Sequence, residues 1–347
     1  MICANILLDR LKPYANEIVG EYQCGFRKDR STIDQVFTIK QIMEKCWEFN
    51  KELHQLFVDF KQAYDNVCRV KLWEVMEELG FPKKLIRLTQ ICINGAKNKV
   101  RIGQELSDIF EVNNGLKQGD AISPLLFNIS LEYVVRKAEI KAPMTMFRNN
   151  GPKLLLAFAD DVDVIGSSRL NVKETFTNFE KQALNMGLKI NEGKTKYMYT
   201  TRNNQRRDRV GQNITMVANE ERIRVFERRV LRKIYGPVTD ITTGRYRIRK
   251  NRELYELYKD PNIINEIKAR RLQWAGHVKR LPDNRIAKLA WEEAPEGKRP
   301  LGRPRLRWRD NIEKDLKIME VDNALDLMND RQQWRRIVKS AKTHPGL

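Results

Sequence analysis

Apolar residues return every three or four positions between Ile33 and Trp47, where Val36, Phe37, Ile39, Ile42, Met43, Cys46 and Trp47 draw one stripe of an amphipathic helix. The period then shortens to two. Leu56, Val58 and Phe60 alternate with Phe57 and Asp59, a short strand of aromatic and branched residues that runs into a carboxylate. Lys71–Leu79 and Lys84–Ile93 return to helical spacing, the first stopped by Gly80 and Pro82 and the second near Asn94-Gly95. Lys99–Ile102 and Ile109–Val112 read as a strand pair, followed by a turn at Asn113-Asn114-Gly115.

Ser123-Pro124 opens a further helix, with the serine at the cap and the proline in the first turn. Leu126, Phe127, Ile129, Leu131, Tyr133, Val134 and Val135 make it apolar nearly all round, so it is expected to be buried. Leu154–Phe158 and Val162–Ile165 are apolar runs separated by Ala159-Asp160-Asp161, which predicts a hairpin with two carboxylates at its tip. Val172–Met186 is amphipathic, Gly187 stops it, and Leu188-Lys189-Ile190 starts another strand. Short strands alternating with crossing helices indicate an α+β layer over residues 1–200.

Residues 201–221 are polar and read as a junction. Residues 222–347 read as a basic, mostly helical region broken at Gly236-Pro237, Asp260-Pro261, Leu281-Pro282-Asp283 and Ala294–Arg305. Its first helix offers Val225, Phe226, Val230, Leu231 and Ile234 to a core, and its last segment, Trp308–Ala341, keeps helical periodicity throughout.

A length of 347 residues allows two or three domains. At 41% hydrophobic the chain is too apolar for wholesale disorder, while 32% charged residues and no apolar run of ~18 exclude a membrane-spanning protein. The net charge of +20 changes the picture more, because residues 1–200 carry only +4 and residues 201–347 carry +16. Such an excess points to a polyanionic partner. The five cysteines, Cys3, Cys24, Cys46, Cys68 and Cys92, are too widely spaced for a CxxC site and read as reduced core thiols. The opening residues lack the pattern of a secretory leader, so cytoplasm or nucleus is the expected compartment.

The candidate chemistry lies in Asp59, Asp160 and Asp161, each at the end of an apolar strand. Charge is rarely buried without a partner. If the strands are neighbours, the three carboxylates converge at one sheet edge, an arrangement suited to hard divalent cations with oxygen ligands. Two Mg²⁺ ions about 4 Å apart, with Mn²⁺ as the alternative, would activate a 3′-hydroxyl and stabilise a leaving pyrophosphate. Asp65, Asp120 and Asp163 read as structural or solvated, and His54, His277 and His344 lack metal-ligand spacing.

FVDFKQAYD (Phe57–Asp65), GLKQGDAISPLLFNI (Gly115–Ile129), AFADD (Ala157–Asp161) and GLKINEGKTK (Gly187–Lys196) resemble motifs A, B, C and D of reverse transcriptases, in that order. YQCGFRKDRST (Tyr22–Thr32) resembles the fingers motif of the non-LTR retrotransposon branch. LRKIYGPV, RRLQWAGHVKRL and GRPRLRWRD, all beyond residue 230, resemble the C-terminal region of insect-type endonuclease-reverse transcriptase polyproteins. The resemblance implies a right-hand polymerase with fingers, an antiparallel palm sheet and a basic helical C-terminal region. It makes Asp59, Asp160 and Asp161 the metal ligands and Tyr64 the steric gate against a ribose 2′-hydroxyl. Gln118 and Gly119 would line the incoming sugar, and Arg27 and Arg30 would meet the triphosphate or template backbone. Lys194 would be the general acid for pyrophosphate. The implied partners are an RNA template, a DNA primer and deoxynucleoside triphosphates.

About twenty polar residues stand where the family places a primer grip and thumb, which reads as a truncated or internally deleted copy. Two other readings use the same residues: a noncatalytic nucleic-acid-binding remnant of a mobile element, and a group II intron maturase-like protein, against which the C-terminal strings argue.

Overall fold

The chain, in a computed structural model that describes residues 2–95, 97–140, 154–202, 220–240, 244–297, 299 and 307–347, divides into two compact units. The first comprises residues 1–210 and 283–303, the second 211–282 and 304–347.

The first unit opens with α1 (Ile2–Ile18), a helix whose buried Leu7, Leu11 and Ala15 sit at i, i+4 and i+8. α2 (Thr32–Glu48) follows the expected stripe and is set by a capping box, in which the Ser31 hydroxyl accepts from the Asp34 N–H and the Asp34 carboxylate accepts from the Ser31 N–H. β1 (Leu53–Val58) then enters the centre of the sheet, and β2 (Phe60–Lys61) continues it beyond Asp59. α3 (Arg69–Glu78) and α4 (Lys83–Ile93) match the two predicted helices within two residues.

The predicted pair 99–102 and 109–112 is replaced by two nested two-residue ladders. β3 (Lys97–Asn98) pairs with β6 (Phe110–Glu111), and β4 (Arg101–Ile102) with β5 (Glu105–Leu106). The turn at Gly103, with φ +62°, closes the inner ladder between Ile102 and Glu105.

α5 (Ser123–Lys137) is buried as its all-round apolar surface requires, with Leu126, Phe127, Ile129, Leu131 and Val134 fully enclosed. Ser123 is its first residue rather than its cap, and its hydroxyl donates to the Lys117 carbonyl at 2.6 Å.

β7 (Leu154–Phe158) and β8 (Asp161–Gly166) form the hairpin, α6 (Arg169–Asn185) crosses back, and β9 (Lys189–Ile190) and β10 (Lys196–Thr200) complete the unit. The sheet order is β10-β1-β8-β7, antiparallel throughout. Leu154, Leu155, Leu156 and Ala157 are each no more than 2% exposed, so β7 is covered on both faces, and this is why its sequence is a continuous apolar run rather than an alternation.

Residues 283–303, placed by sequence inside the basic C-terminal stretch, pack within the first unit. α10 (Ile286–Glu292) lies on α2, and the Lys45 ammonium donates to the carbonyls of Trp291 and Glu293. Arg285, 4% exposed, reaches Asp34 at 3.3 Å and Glu21 at 3.4 Å and donates to the Asp29 carbonyl. Arg285→Ala is expected to cost about 2–3 kcal/mol of stability in urea unfolding. That is less than the 3–5 kcal/mol of a buried pair broken outright, because Arg30 still serves Glu21 at 2.7 Å. An unchanged midpoint would mean that the pair is inert.

The second unit contains α7 (Glu220–Tyr235), α8 (Asn251–Tyr258), α9 (Ile263–Lys279), α11 (Trp308–Ile318), α12 (Ala324–Asn329), α13 (Arg331–Thr343) and the ladder of β11 (Val238–Thr239) with β12 (Tyr246–Arg247). The helical periodicity over 308–341 is divided among three helices, broken first where Glu320 and Asn323 take positive φ and again at Asp330, which is extended at φ −84° and ψ 109°. Trp334 anchors α13 against α9, its indole N–H donating to the Leu272 carbonyl at 2.8 Å.

α7 corrects a second expectation. Of its apolar residues only Leu231 is buried, while Phe226 and Ile234 are 59% and 66% exposed. The buried partner is Glu227, whose carboxylate accepts from the Ile263 N–H at the start of α9 and from the Tyr255 hydroxyl. Cys24 and Cys46 are core thiols as expected, but Cys3 and Cys92 are exposed, with their sulfurs 3.9 Å apart. Residues 203–219 of the polar junction lie outside the described residues. Among those described, no helix is long and apolar enough to cross a membrane.

Candidate active site

Three aspartates arrive at one end of the sheet because of register. The last pair between β1 and β8 is Val58↔Val162, and one further step along each strand sets Asp59 opposite Asp161 on the same face. Residues so opposed in an antiparallel pair have Cα atoms about 4.5–5.5 Å apart. Asp160 stands in the two-residue turn, beside the closing pair Phe158↔Asp161. Burial, then the charges of Asp160 and Asp59, raise the Asp161 carboxyl above the ordinary range, so the three groups repel one another.

Asp59 is fixed from the other side by the β9 turn. Its carbonyl accepts from the Asn191 N–H at 2.7 Å, its N–H points to the Thr195 hydroxyl at 3.4 Å, and Phe60 pairs with Ile190. The Oδ2 of Asp59 is buried with no hydrogen-bond partner among the described residues.

Among the described residues, no group of three or more His, Cys, Asp or Glu side chains is gathered closely enough to hold a metal ion. The donor set nonetheless fits divalent cations. It offers carboxylate oxygen only, it repels itself without a counter-charge, and it includes a buried oxygen with no hydrogen-bond partner among the described residues.

Tyr64 lies within electrostatic reach of this cluster. Burial, then the Asp160 charge, push its hydroxyl up to about 12. Its ring stacks on Phe127 at 4.8 Å and 18°, and its buried hydroxyl has no partner among the described residues. The loop with Gln118 and Gly119 docks beneath it, through the Leu116 N–H to the Tyr64 carbonyl and the Gly115 N–H to the Val67 carbonyl. Gln118 is exposed and points its amide to Asp65 at 3.5 Å, and Gly119 is exposed with φ +84°. Buried Arg69, which the sequence reading passed over, ties this loop by donating to the carbonyls of Gly115 and Val112, both at 2.6 Å.

Arg27 and Arg30 are engaged by groups of the protein itself. The Arg27 guanidinium donates to the carbonyls of Gly20 and Gln23, and burial lowers its pKa. Arg30 holds the Glu21 carboxylate through bonds of 2.7 and 2.9 Å. Both brace the loop at 20–30. Lys194 is exposed on the turn that holds Asp59. Gln23, also unremarked in the sequence, is fully buried against the Ala159 backbone.

Residues 2–251 match the family described as "Reverse transcriptase (RNA-dependent DNA polymerase)". "Probable RNA-directed DNA polymerase from transposon BS" of Drosophila melanogaster is 26% identical over 199 residues, 55% of this chain and 21% of that protein. "Retrovirus-related Pol polyprotein from type-2 retrotransposable element R2DM", also of Drosophila melanogaster, is 23% identical over 174 residues, 50% of this chain and 16% of its own. The matched part thus spans about a fifth or less of the length of these relatives. Among solved structures, apo telomerase from Candida tropicalis aligns with a TM-score of 0.47 at 13% identity, covering 98% of this chain and 57% of that one.

Proposed function

Because the chain belongs to the reverse transcriptase family, on its non-LTR retrotransposon branch, we propose that it extends a DNA primer on an RNA template with deoxynucleoside triphosphates. One observation carries the reading: the β1–β8 register, whose last pair is Val58↔Val162, leads Asp59 and Asp161 to the same sheet end with Asp160 in the adjoining turn, and a buried Asp59 oxygen has no hydrogen-bond partner among the described residues. Asp59, Asp160 and Asp161 would hold two Mg²⁺ ions, or Mn²⁺ in their place. When bound, such ions supply activation of the primer hydroxyl and neutralisation of the leaving pyrophosphate.

The chain's own residues supply the rest. The Tyr64 ring, held by its stack on Phe127, would stand against the sugar and exclude a 2′-hydroxyl. Gln118 and Gly119 offer an amide and an open backbone to the same sugar. Lys194, exposed beside the Asp59 strand, would deliver a proton to the departing pyrophosphate. The excess charge of +16 in residues 201–347 supports a surface that follows a nucleic-acid backbone and weakens steeply with salt.

The test is extension of a DNA primer annealed to RNA in the presence of Mg²⁺. Template retention without any extension would sink the polymerase reading and favour a binding remnant. Tyr64→Val is expected to leave deoxynucleotide addition largely intact and to raise ribonucleotide incorporation about 10–100-fold. Unchanged sugar discrimination in that variant would remove the gate.

A further inference from the structure

The turn that carries Asp160 is built on an unfavourable residue. Two-residue hairpins need positive φ at the first central position, where glycine is the usual occupant. Here the position is Ala159, buried and at φ +58°. A β-carbon makes that conformation costly, so something must hold it.

Gln23 supplies the hold. Its side chain is fully buried, and its Oε1 accepts from the Ala159 N–H at 2.8 Å while its Nε2 donates to the Ala159 carbonyl at 3.1 Å. One amide therefore takes both backbone polar groups of the turn residue, much as a neighbouring strand would. The same Oε1 accepts from the Gly25 N–H at 2.7 Å. Around it the loop docks as a short parallel bridge, with the Cys24 N–H to the Ala157 carbonyl and the Ala157 N–H to the Tyr22 carbonyl, both 2.9 Å. Gly25 passes so close that a Cβ there would lie 2.2 Å from the Ala159 nitrogen, and its carbonyl is fixed to α5 by Asn128 at 2.8 Å.

We propose that Gln23 is a positioning residue for nucleotide addition, acting through Ala159 to aim Asp160 and Asp161 toward Asp59; this rests on the polymerase reading above. The loop at 22–25 is then part of the metal-site support, and the turn's geometry is supplied by a side chain more than a hundred residues upstream.

The probe is Mn²⁺ titrated into the full chain without nucleic acid and followed by electron paramagnetic resonance. Gln23→Met, which keeps length and loses every side-chain hydrogen bond, is expected to weaken Mn²⁺ binding about ten-fold, the usual scale for residues that orient metal ligands. It should raise the metal concentration for half-maximal extension by a similar factor while leaving primer-template affinity unchanged. Adding Ala159→Gly should recover part of the loss, because glycine adopts the turn without help. If Gln23→Met does not fold, Gln23→Glu keeps the acceptor for both N–H groups and should show an intermediate loss. Unaltered Mn²⁺ affinity in the folded variant, or no recovery by Ala159→Gly, would reduce Gln23 to a packing residue and overturn the inference. A wild-type chain that binds Mn²⁺ tightly yet never extends a primer would sink the polymerase reading instead, and the hold on the turn would survive it.

Discussion

Asp160→Asn is expected to slow nucleotide addition about 10³-fold, roughly 4 kcal/mol of transition-state stabilisation, without loosening the fold. The two halves of that expectation come from one observation. Asp59, Asp160 and Asp161 share one sheet end, where burial, and then the charges of Asp160 and Asp59, raise the Asp161 carboxyl, so in the free protein the neighbouring charges oppose its ionisation. Removing one charge relieves that repulsion, and the melting temperature should hold or rise. Catalysis moves the other way, because an amide is a neutral and far weaker ligand for a hard cation. Asp9→Asn provides the control, since the Asp9 side chain is 73% exposed and pairs with Lys12 on its own helix. Single-turnover extension with saturating deoxynucleotide, beside a calorimetric scan of the same preparation, reads both quantities. A variant that extends at the wild-type rate would show that Asp160 does not hold the metal.

The carboxylates were legible in the sequence because their signal is local. Alternation in β1 and apolar runs on either side of Asp160-Asp161 fix which strands carry acid at their ends, and antiparallel pairing follows from the short turn between them. The elements that brace the site left no such trace. Arg27 and Arg30 are exposed types by composition, yet Glu21 and nearby carbonyls claim them. Gln23 lies in no periodic segment, and the only hint beside it is the glycine at position 25, which only close backbone approach explains. Arg285 meets Asp34 across some 250 positions of chain, a pairing that no window of local pattern contains. In α7 the apolar stripe suggested a buried face, whereas Glu227 is drawn inward by the free N–H of Ile263 and leaves Phe226 and Ile234 exposed. Periodicity reports which residues can be buried; long-range hydrogen bonds decide which of them are.

Asp163 gives the largest expected dependence of stability on pH. It lies in mid-strand between Phe57 and Leu156, 6% exposed, and burial pushes its carboxyl up to about 7 although the Gln55 amide donates to its Oδ2 at 3.0 Å. Its Oδ1 and the Gln55 Oε1 are both buried with no hydrogen-bond partner among the described residues, so the protonated acid is the form the site suits: its O–H can serve the amide oxygen. In the unfolded chain the same carboxyl ionises near the ordinary value of about 3.9. Between about pH 4 and pH 7 the folded state therefore holds a proton that the unfolded state has lost. The stabilisation is complete below pH 4 and falls by about 1.4 kcal/mol for each pH unit up to 7, about 4 kcal/mol in all. Asp163→Asn keeps a donor and an acceptor for Gln55 and carries no charge at any pH. The gap in unfolding free energy between this variant and wild type should accordingly open by about 4 kcal/mol from pH 4 to pH 7, with the variant the more stable at neutrality. Parallel urea profiles across that window would mean that Asp163 is ionised in the folded chain. A steep divergence would place a proton two residues from Asp161, in the same strand and on the same face. The ionised groups of the site would then be confined to the sheet end, with a neutral acid–amide pair below them in the ladder.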